Sequence, residues 1–327
     1  MYPAILLFAG ADAVVAGEGE GALRAILARK GAGLQAIPGV FFVEQGIIRH
    51  QPGVLPAVEL DLLPPPARDL IPLPSSGVHL METSRGCPHR CMFCETSRFY
   101  QHAWRAFSPA KTAREAARLV EEYDARVILF ADDNSAASSS HILKLARLLQ
   151  NGPQPVFFMA SARVDELVTD ARIIPALAAA GISRIAVGVE TLQPNHATML
   201  GKHLSPSLCR ELFDRMHSHG MYSVASFIVG LPGERSEFRR RMVEAAVATG
   251  TDSATFVPFC PLPTKPFPVR TEVVTPREQD EIDAAQFTSD FFTHSDVIAR
   301  RRRAMREHSI RGMIARAGQA SFGVALS

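Results

Sequence analysis

From about residue 77 to residue 260 the chain repeats one unit: a short apolar run, a polar loop, an amphipathic helix and then a glycine. Gly152, Gly181, Gly220 and Gly250 each follow a helical stretch and precede a strand-like one, where a left-handed helix cap is expected. The unit is therefore βα. The apolar runs 78–82, 126–131, 155–160, 184–189, 223–229 and 253–257 are nearly continuous rather than alternating, as strands covered on both faces must be. Ser108-Pro109 and Ser138–Ser140 supply N-caps for the helices between them. Leu208, Leu212, Phe213 and Met216 form an apolar stripe on a later helix, and Cys209 on the same side reads as a small buried hydrophobe. Six such units fall short of a closed barrel, which needs eight strands and roughly 250 residues. The pattern predicts an α/β fold: an open, partial (β/α)6 barrel.

Both flanks break this pattern. Residues 1–76 offer a short strand at 4–9, the segment Asp12–Glu20, one helix at about 20–30 and Pro38-Gly-Val-Phe-Phe. They end in Leu63-Pro-Pro-Pro-Ala-Arg and Ile71-Pro-Leu-Pro, which suit a linker over a surface because proline removes a backbone donor and fixes φ. Residues 261–327 read as a small, mainly helical segment covering the barrel, with Arg300–Arg303, Arg306, Arg311 and Arg316 on a solvated helix face. The expected division is thus 1–76, 77–260 and 261–327.

Composition excludes several classes. With 47% hydrophobic and 21% charged residues the chain can bury a large core. No run of about 18 uncharged apolar residues exists, and the Met1-Tyr-Pro start lacks a basic leader region, so the expectation is a cytoplasmic protein that does not engage a membrane. A net charge of +2 gives no support to nucleic-acid binding.

The chemistry concentrates in Ser84-Arg-Gly-Cys-Pro-His-Arg-Cys-Met-Phe-Cys, where Cys87, Cys91 and Cys94 follow the first barrel strand. Structural zinc wants four ligands, usually as two separated pairs, and Cys209 and Cys260 are the only other cysteines. Three thiolates instead suit a [4Fe–4S] cluster with one iron left open for chemistry. A loop at the C-terminal end of a barrel strand is also where such folds place their active sites. Gly86 and Pro88 fit a tight loop, and Phe93 beside Cys94 could pack or lie against a bound aromatic ring. Phe130-Ala-Asp-Asp-Asn-Ser135 ends the second strand on the same rim; Asp132, Asp133 and Asn134 there either cap the next helix or contact a ligand. His79, His89 and His102 are not claimed as ligands.

These residues resemble the radical S-adenosylmethionine (SAM) superfamily, over about residues 78–260. The resemblance implies that SAM binds the open iron and that the reduced cluster cleaves it to a 5′-deoxyadenosyl radical, which abstracts hydrogen from a small biosynthetic substrate. It implies a flavodoxin- or ferredoxin-like reducing partner. It further implies SAM contacts at Ser161 and Arg163, at Gly188 and Glu190 in Gly188-Val-Glu190-Thr191, at Gly230 in Phe227-Ile-Val-Gly230-Leu-Pro-Gly233-Glu234, at Phe93 and Asp132, and at Lys202. A buried glutamate needs a polar partner, so Glu190 should find one in ligand or backbone.

Within the superfamily, Glu-Gly-Glu at 18–20, Phe-x-Asp-Asp-Asn and Pro65-Pro-Ala-Arg-Asp-Leu resemble the cobalamin-associated branch. That branch carries a complete doubly wound N-terminal domain and commonly an Asp-x-His-x-x-Gly segment, which this sequence lacks. Residues 1–76 therefore read as a truncated cobalamin-domain-like appendage, and the expected cofactors are the cluster and SAM without cobalamin. A cobalamin-dependent methyltransferase, an RNA-modifying enzyme resting on the C-terminal arginines, and a non-catalytic Fe–S protein are the alternatives.

Overall fold

The computed structural model describes residues 3–53, 55–71, 77–153, 156–202, 204–234 and 236–259. The expected C-terminal cover, its arginines and Cys260 lie outside the described residues. The chain divides into two compact units between Pro66 and Ala67.

The first unit holds α1 (Pro3–Phe8), β1 (Ala13–Val15), α2 (Glu20–Ala28), β2 (Val40–Glu44) and β3 (Ile47–His50). Its three strands form one antiparallel sheet in the order β1-β2-β3. A two-residue turn closes the β2–β3 hairpin, with Gln45 and Gly46 both at positive φ (51° and 75°), the turn whose twist matches its strands. Ala22, Ile37, Val40 and Phe42 make a small core. The strand expected at 4–9 is instead α1. Pro3 opens it at a position where a missing N–H costs nothing, and so short an apolar run carries no period that separates strand from helix.

The second unit confirms the βα repeat. Its strands β4 (Val78–Met81), β5 (Ser84–Gly86), β6 (Trp104–Ala106), β7 (Val127–Phe130), β8 (Phe157–Arg163), β9 (Ile182–Glu190), β10 (Tyr222–Val229) and β11 (Ser253–Pro258) alternate with helices. These are α3 (Thr96–Phe99), α4 (Pro109–Tyr123), α5 (Ser139–Gln150), α6 (Val164–Thr169), α7 (Ile173–Ala179), α8 (Pro194–Leu200), α9 (Pro206–Ser218) and α10 (Ser236–Ala248). Six strands form one wholly parallel sheet in the order β11-β10-β9-β8-β7-β4, which is chain order reversed and makes an open (β/α)6 core. Between β4 and β7 the chain leaves the sheet for a β5–β6 ribbon and α3, and the three cysteines ride on this excursion.

One continuous apolar core joins the sheet to α4, α5, α7 and α9 through residues such as Leu119, Leu145, Phe158, Ile174, Phe213 and Phe227. Cys209 is fully buried within it and burial pushes its thiol up to about 11, the behaviour of a small hydrophobe. The predicted caps form: Ser108 Oγ accepts from Lys111 N at 3.3 Å and Ser138 Oγ from His141 N at 3.4 Å. Gly181, Gly220 and Gly250 take the left-handed conformation after their helices, but Gly152 does not. Asn151 Nδ2 instead donates to the Arg147 carbonyl at 2.9 Å, and Pro153 disfavours helical geometry in the residue before it. No helix among the described residues is long and apolar enough to cross a membrane.

Candidate active site

Where β4 gives way to the cysteine loop, the chain is held by three successive residues of the loop after β7. Asp132 accepts from the backbone N–H of Thr83 at 2.7 Å and of Ser84 at 3.0 Å, and from the Thr83 hydroxyl. Asp133 accepts from Gly86 N at 3.1 Å, and Asn134 Nδ2 lies 3.6 Å from Cys87 Sγ. Side chains 132, 133 and 134 thus fasten the segment from Thr83 to Cys87 in order. Gly86 is required there: its φ is +82° and any Cβ would collide with the carbonyl of Ala103, just before the facing strand β6.

Cys91 is buried, Cys87 and Cys94 are half-buried, and all are free thiols. Arg163 Nη1 donates to Cys91 Sγ at 3.1 Å, while Nε and Nη2 form a two-pronged pair with Asp165 at 2.9 and 2.7 Å. Burial opposes the Arg163 charge, yet Asp165 and the sulfur together raise its pKa above the ordinary value. Burial likewise opposes the Asp165 charge, but Arg163 holds that carboxyl below the usual range, with His89 and Lys202 helping. Burial also pushes the Cys87 thiol up, against hydrogen bonds from the His89 backbone and Asn134. Glu166 Oε1 accepts from Asn134 Nδ2 at 2.9 Å and pairs with His89 Nε2 at 2.8 Å.

No group of three or more His, Cys, Asp or Glu side chains that could hold a metal ion is formed among the described residues. A single ion gathers its donors to about 2.0–2.3 Å from one point. A cluster takes one thiolate per iron and so wants them apart, on a loop whose sulfurs receive N–H donors. Three free thiols on one loop, two of them receiving N–H donors, are a donor set of the second kind.

The ends of β9 and β10 build the adjoining rim. Arg163 on β8 is in register with Gly188 on β9, which is in register with Ser226 on β10. The ladder then skips Val189, so that Glu190 faces Phe227 across a bulge. Glu190 sits at φ +68°, a conformation non-glycine residues rarely adopt. Its carboxylate is buried and paired with Lys202 Nζ at 3.0 Å, and Lys202 is only 3% exposed. A Cβ on Gly188 would meet both Glu190 Oε1 and Lys202 Nζ, so this glycine makes room for the pair. At the end of β10, Gly230 and Leu231 donate their backbone N–H groups to Glu234 Oε2, the second at 2.9 Å, which fixes the Gly230–Gly233 turn. Phe93 packs against an apolar cluster of Leu200, Ile228 and Leu231, tying the cysteine loop to that turn.

Several expectations shift in detail. Asp132 is turned inward, with both oxygens engaged by the chain it holds. Ser161 and Arg163 are not beyond the third barrel strand but part of it, because β8 continues its ladder through Arg163 opposite Gly188. The partner that Glu190 needs is Lys202, twelve residues on. Sequence reading missed Glu166 and the engagement of His89: the two lie 77 residues apart, and Glu166 reads in sequence only as an acidic residue in a helix's first turn.

Comparison with known proteins agrees with this geometry. An open parallel barrel bearing cysteines on its first loop is the architecture of SAM-dependent radical enzymes. The family model "Radical SAM superfamily" matches residues 81–246, half of the chain, and the chain belongs to that superfamily. It is an enzyme, and the superfamily's cofactors are a [4Fe–4S] cluster and SAM. An uncharacterized methyltransferase of Pyrococcus horikoshii is 28% identical, covering 77% of this chain and 56% of its own length. The anaerobic magnesium-protoporphyrin IX monomethyl ester cyclase of Rubrivivax gelatinosus is 24% identical, covering 80% and 50%. The chain spans about half the length of these curated relatives. In structure it superposes on the radical SAM methyltransferase TsrM of Kitasatospora setae, solved with tryptophan and a SAM analogue, with TM-score 0.66 at 18% identity over 78% of this chain and 52% of that one. The cobalamin-dependent enzyme OxsB gives a TM-score of 0.59 at 19% identity, over 86% and 40%.

Proposed function

We propose that Cys87, Cys91 and Cys94 hold the [4Fe–4S] cluster and that the chain cleaves SAM reductively and abstracts a hydrogen atom from a small biosynthetic substrate. The observation that carries this reading is the pair of N–H donors, Arg163 on Cys91 and Asn134 on Cys87, at the C-terminal end of a parallel sheet. Bound there, the cluster would pass one electron into SAM, splitting its C5′–S bond into methionine and a 5′-deoxyadenosyl radical.

The residues have separable tasks. Arg163 places a cation against thiolate charge that burial disfavours, and Asp165 fixes its fork. Gly188, Glu190 and Ser161 would meet the polar end of SAM from β8 and β9, with Lys202 holding the Glu190 side chain in place. Gly230, held by Glu234, would present backbone to the adenine, and Phe93 would cover it from the cysteine loop. Asp132 acts through Thr83 and Ser84, holding the loop in place. Free thiols of this kind and an oxygen-sensitive cluster suit the reducing cytoplasm, with a flavodoxin- or ferredoxin-like donor.

A second reading, cobalamin-dependent methyl transfer, is favoured by the methyltransferase names among the relatives and by the cobalamin in TsrM and OxsB. The described strands of residues 1–66 are antiparallel, whereas a doubly wound domain is parallel, so this unit is not itself such a domain.

The test is anaerobic reconstitution to about four irons per chain, then reduction in the presence of SAM. 5′-Deoxyadenosine should form with the wild-type chain and vanish in Cys91→Ala. Absence from the wild type, or equal yield from the variant, sinks the reading. Corrin absorbance in the purified protein, or methyl-labelled product only when cobalamin is added, would establish the second reading in its place.

A further inference from the structure

Asn134 is 1% exposed and its amide has no freedom. Its Oδ1 accepts from Ala136 N at 3.3 Å, and its own carbonyl accepts from Trp104 Nε1 at 3.0 Å. With Oδ1 committed, Nδ2 must face its two remaining neighbours, Cys87 Sγ at 3.6 Å and Glu166 Oε1 at 2.9 Å. Glu166 Oε1 also pairs with His89 at 2.8 Å, and His89 stands inside the Cys87–Cys91 loop, where its carbonyl accepts from His102 Nδ1 at 3.2 Å. The second carboxylate oxygen, Oε2, is buried without a hydrogen-bond partner among the described residues. A negative charge so placed is weakly screened and acts strongly on its surroundings.

We propose that Asn134 and Glu166 are a coupled pair of positioning residues that set the reduction potential of the cluster through Cys87. The inference rests on the reading that Cys87 is a cluster ligand. An N–H donor on a cysteine sulfur stabilises the more negative, reduced cluster and raises its potential; a nearby carboxylate does the reverse. Here the two opposed influences meet in one amide, which donates to sulfur and carboxylate together. Glu166 also grips His89 directly, so the same carboxylate fixes the loop that it polarises.

The test is the midpoint potential of the reconstituted cluster, followed by its electron paramagnetic resonance signal during titration with dithionite, in wild type, Asn134→Leu and Glu166→Gln. Asn134→Leu removes the donor at similar size and should shift the potential negative, with SAM cleavage slowed about 10–100-fold as for other residues behind a ligand. Glu166→Gln removes the charge and should shift the potential positive. A purely structural role does not produce shifts of opposite sign. If the wild type takes up no cluster, the reading of Cys87 itself fails. If iron content is full and either potential is unchanged, or both move the same way, the cluster reading stands and this inference is overturned. Should Asn134→Leu lose its iron, Glu166→Gln alone decides: a positive shift supports the coupling and an unchanged potential overturns it.

Discussion

The two ends of the same parallel sheet each carry a buried polar network, and the networks are built to opposite ends. At the N-terminal edge, His217 at the end of α9 pairs with Asp252 at 2.7 Å, and Asp252 also accepts from Ser223 N at 2.9 Å and Ser223 Oγ at 3.0 Å. Thr251 and the Asp252 N–H close on Ser223 as well, so neighbouring strand starts are stapled at ordinary geometry. At the C-terminal edge, polar groups point at sulfurs, the ladder bulges, and Glu190 is held in left-handed backbone. Barrel folds segregate stability and chemistry in this way, because loops at the C-terminal ends of strands can vary without disturbing the sheet. The lesson is that burial of charge alone does not mark a site; backbone strain beside it does.

Substitutions can break this contrast. The largest loss of stability is expected from Lys202→Met, which leaves Glu190 buried, unpaired and strained: about 3–5 kcal/mol by denaturant unfolding of the cluster-free protein. A loss below about 1 kcal/mol would mean that Glu190 finds other partners and that the rim is not strained as described.

Asp252→Ala should cost somewhat less, about 2–3 kcal/mol, by leaving buried donors of Ser223 without an acceptor. Its effect on the cluster potential should be nil. Burial opposes the Asp252 charge, but the hydrogen bond and charge of His217 and the Ser223 hydrogen bonds together outweigh it and hold the carboxyl below its ordinary value. A carboxylate whose pKa is lower in the fold than in the unfolded chain stabilises at pH above about 3.9, and the benefit is lost as pH falls through the folded value. Acid unfolding profiles should therefore lose part of their low-pH limb in Asp252→Asn. An identical limb in wild type and variant would remove Asp252 from the acid response.

The smallest effect calibrates the others. Ser205 caps α9 by accepting from Leu208 N at 3.1 Å, its hydroxyl bonding Leu208 and Ser207 and no member of either network, and Ser205→Ala should cost about 1 kcal/mol with 5′-deoxyadenosine yield unchanged. A change in yield would show that helix caps on the outer layer reach the rim.

Much of the second unit was legible because its signals are local. Apolar runs, serine caps and glycines recur at fixed offsets, so the six strands fall within a few residues of their predicted places. The cysteine loop was legible for the same reason. The first unit was less so: the run at 4–9 is too short to show its period, and β1 forms through pairing with β2 rather than through a strong pattern of its own.

What the sequence determined alone is therefore the periodic core, the three thiols after its first strand, and Glu190 and Gly230 at strand ends. What only the tertiary structure decided is which side chains those groups meet. Asn134 reaches Cys87 across 47 residues, Arg163 reaches Cys91 across 72, and Glu166 reaches His89 across 77. Such contacts arise because parallel strands bring their C-terminal loops to one edge whatever their separation in the chain. No spacing rule encodes them; the register of β4, β7 and β8 does.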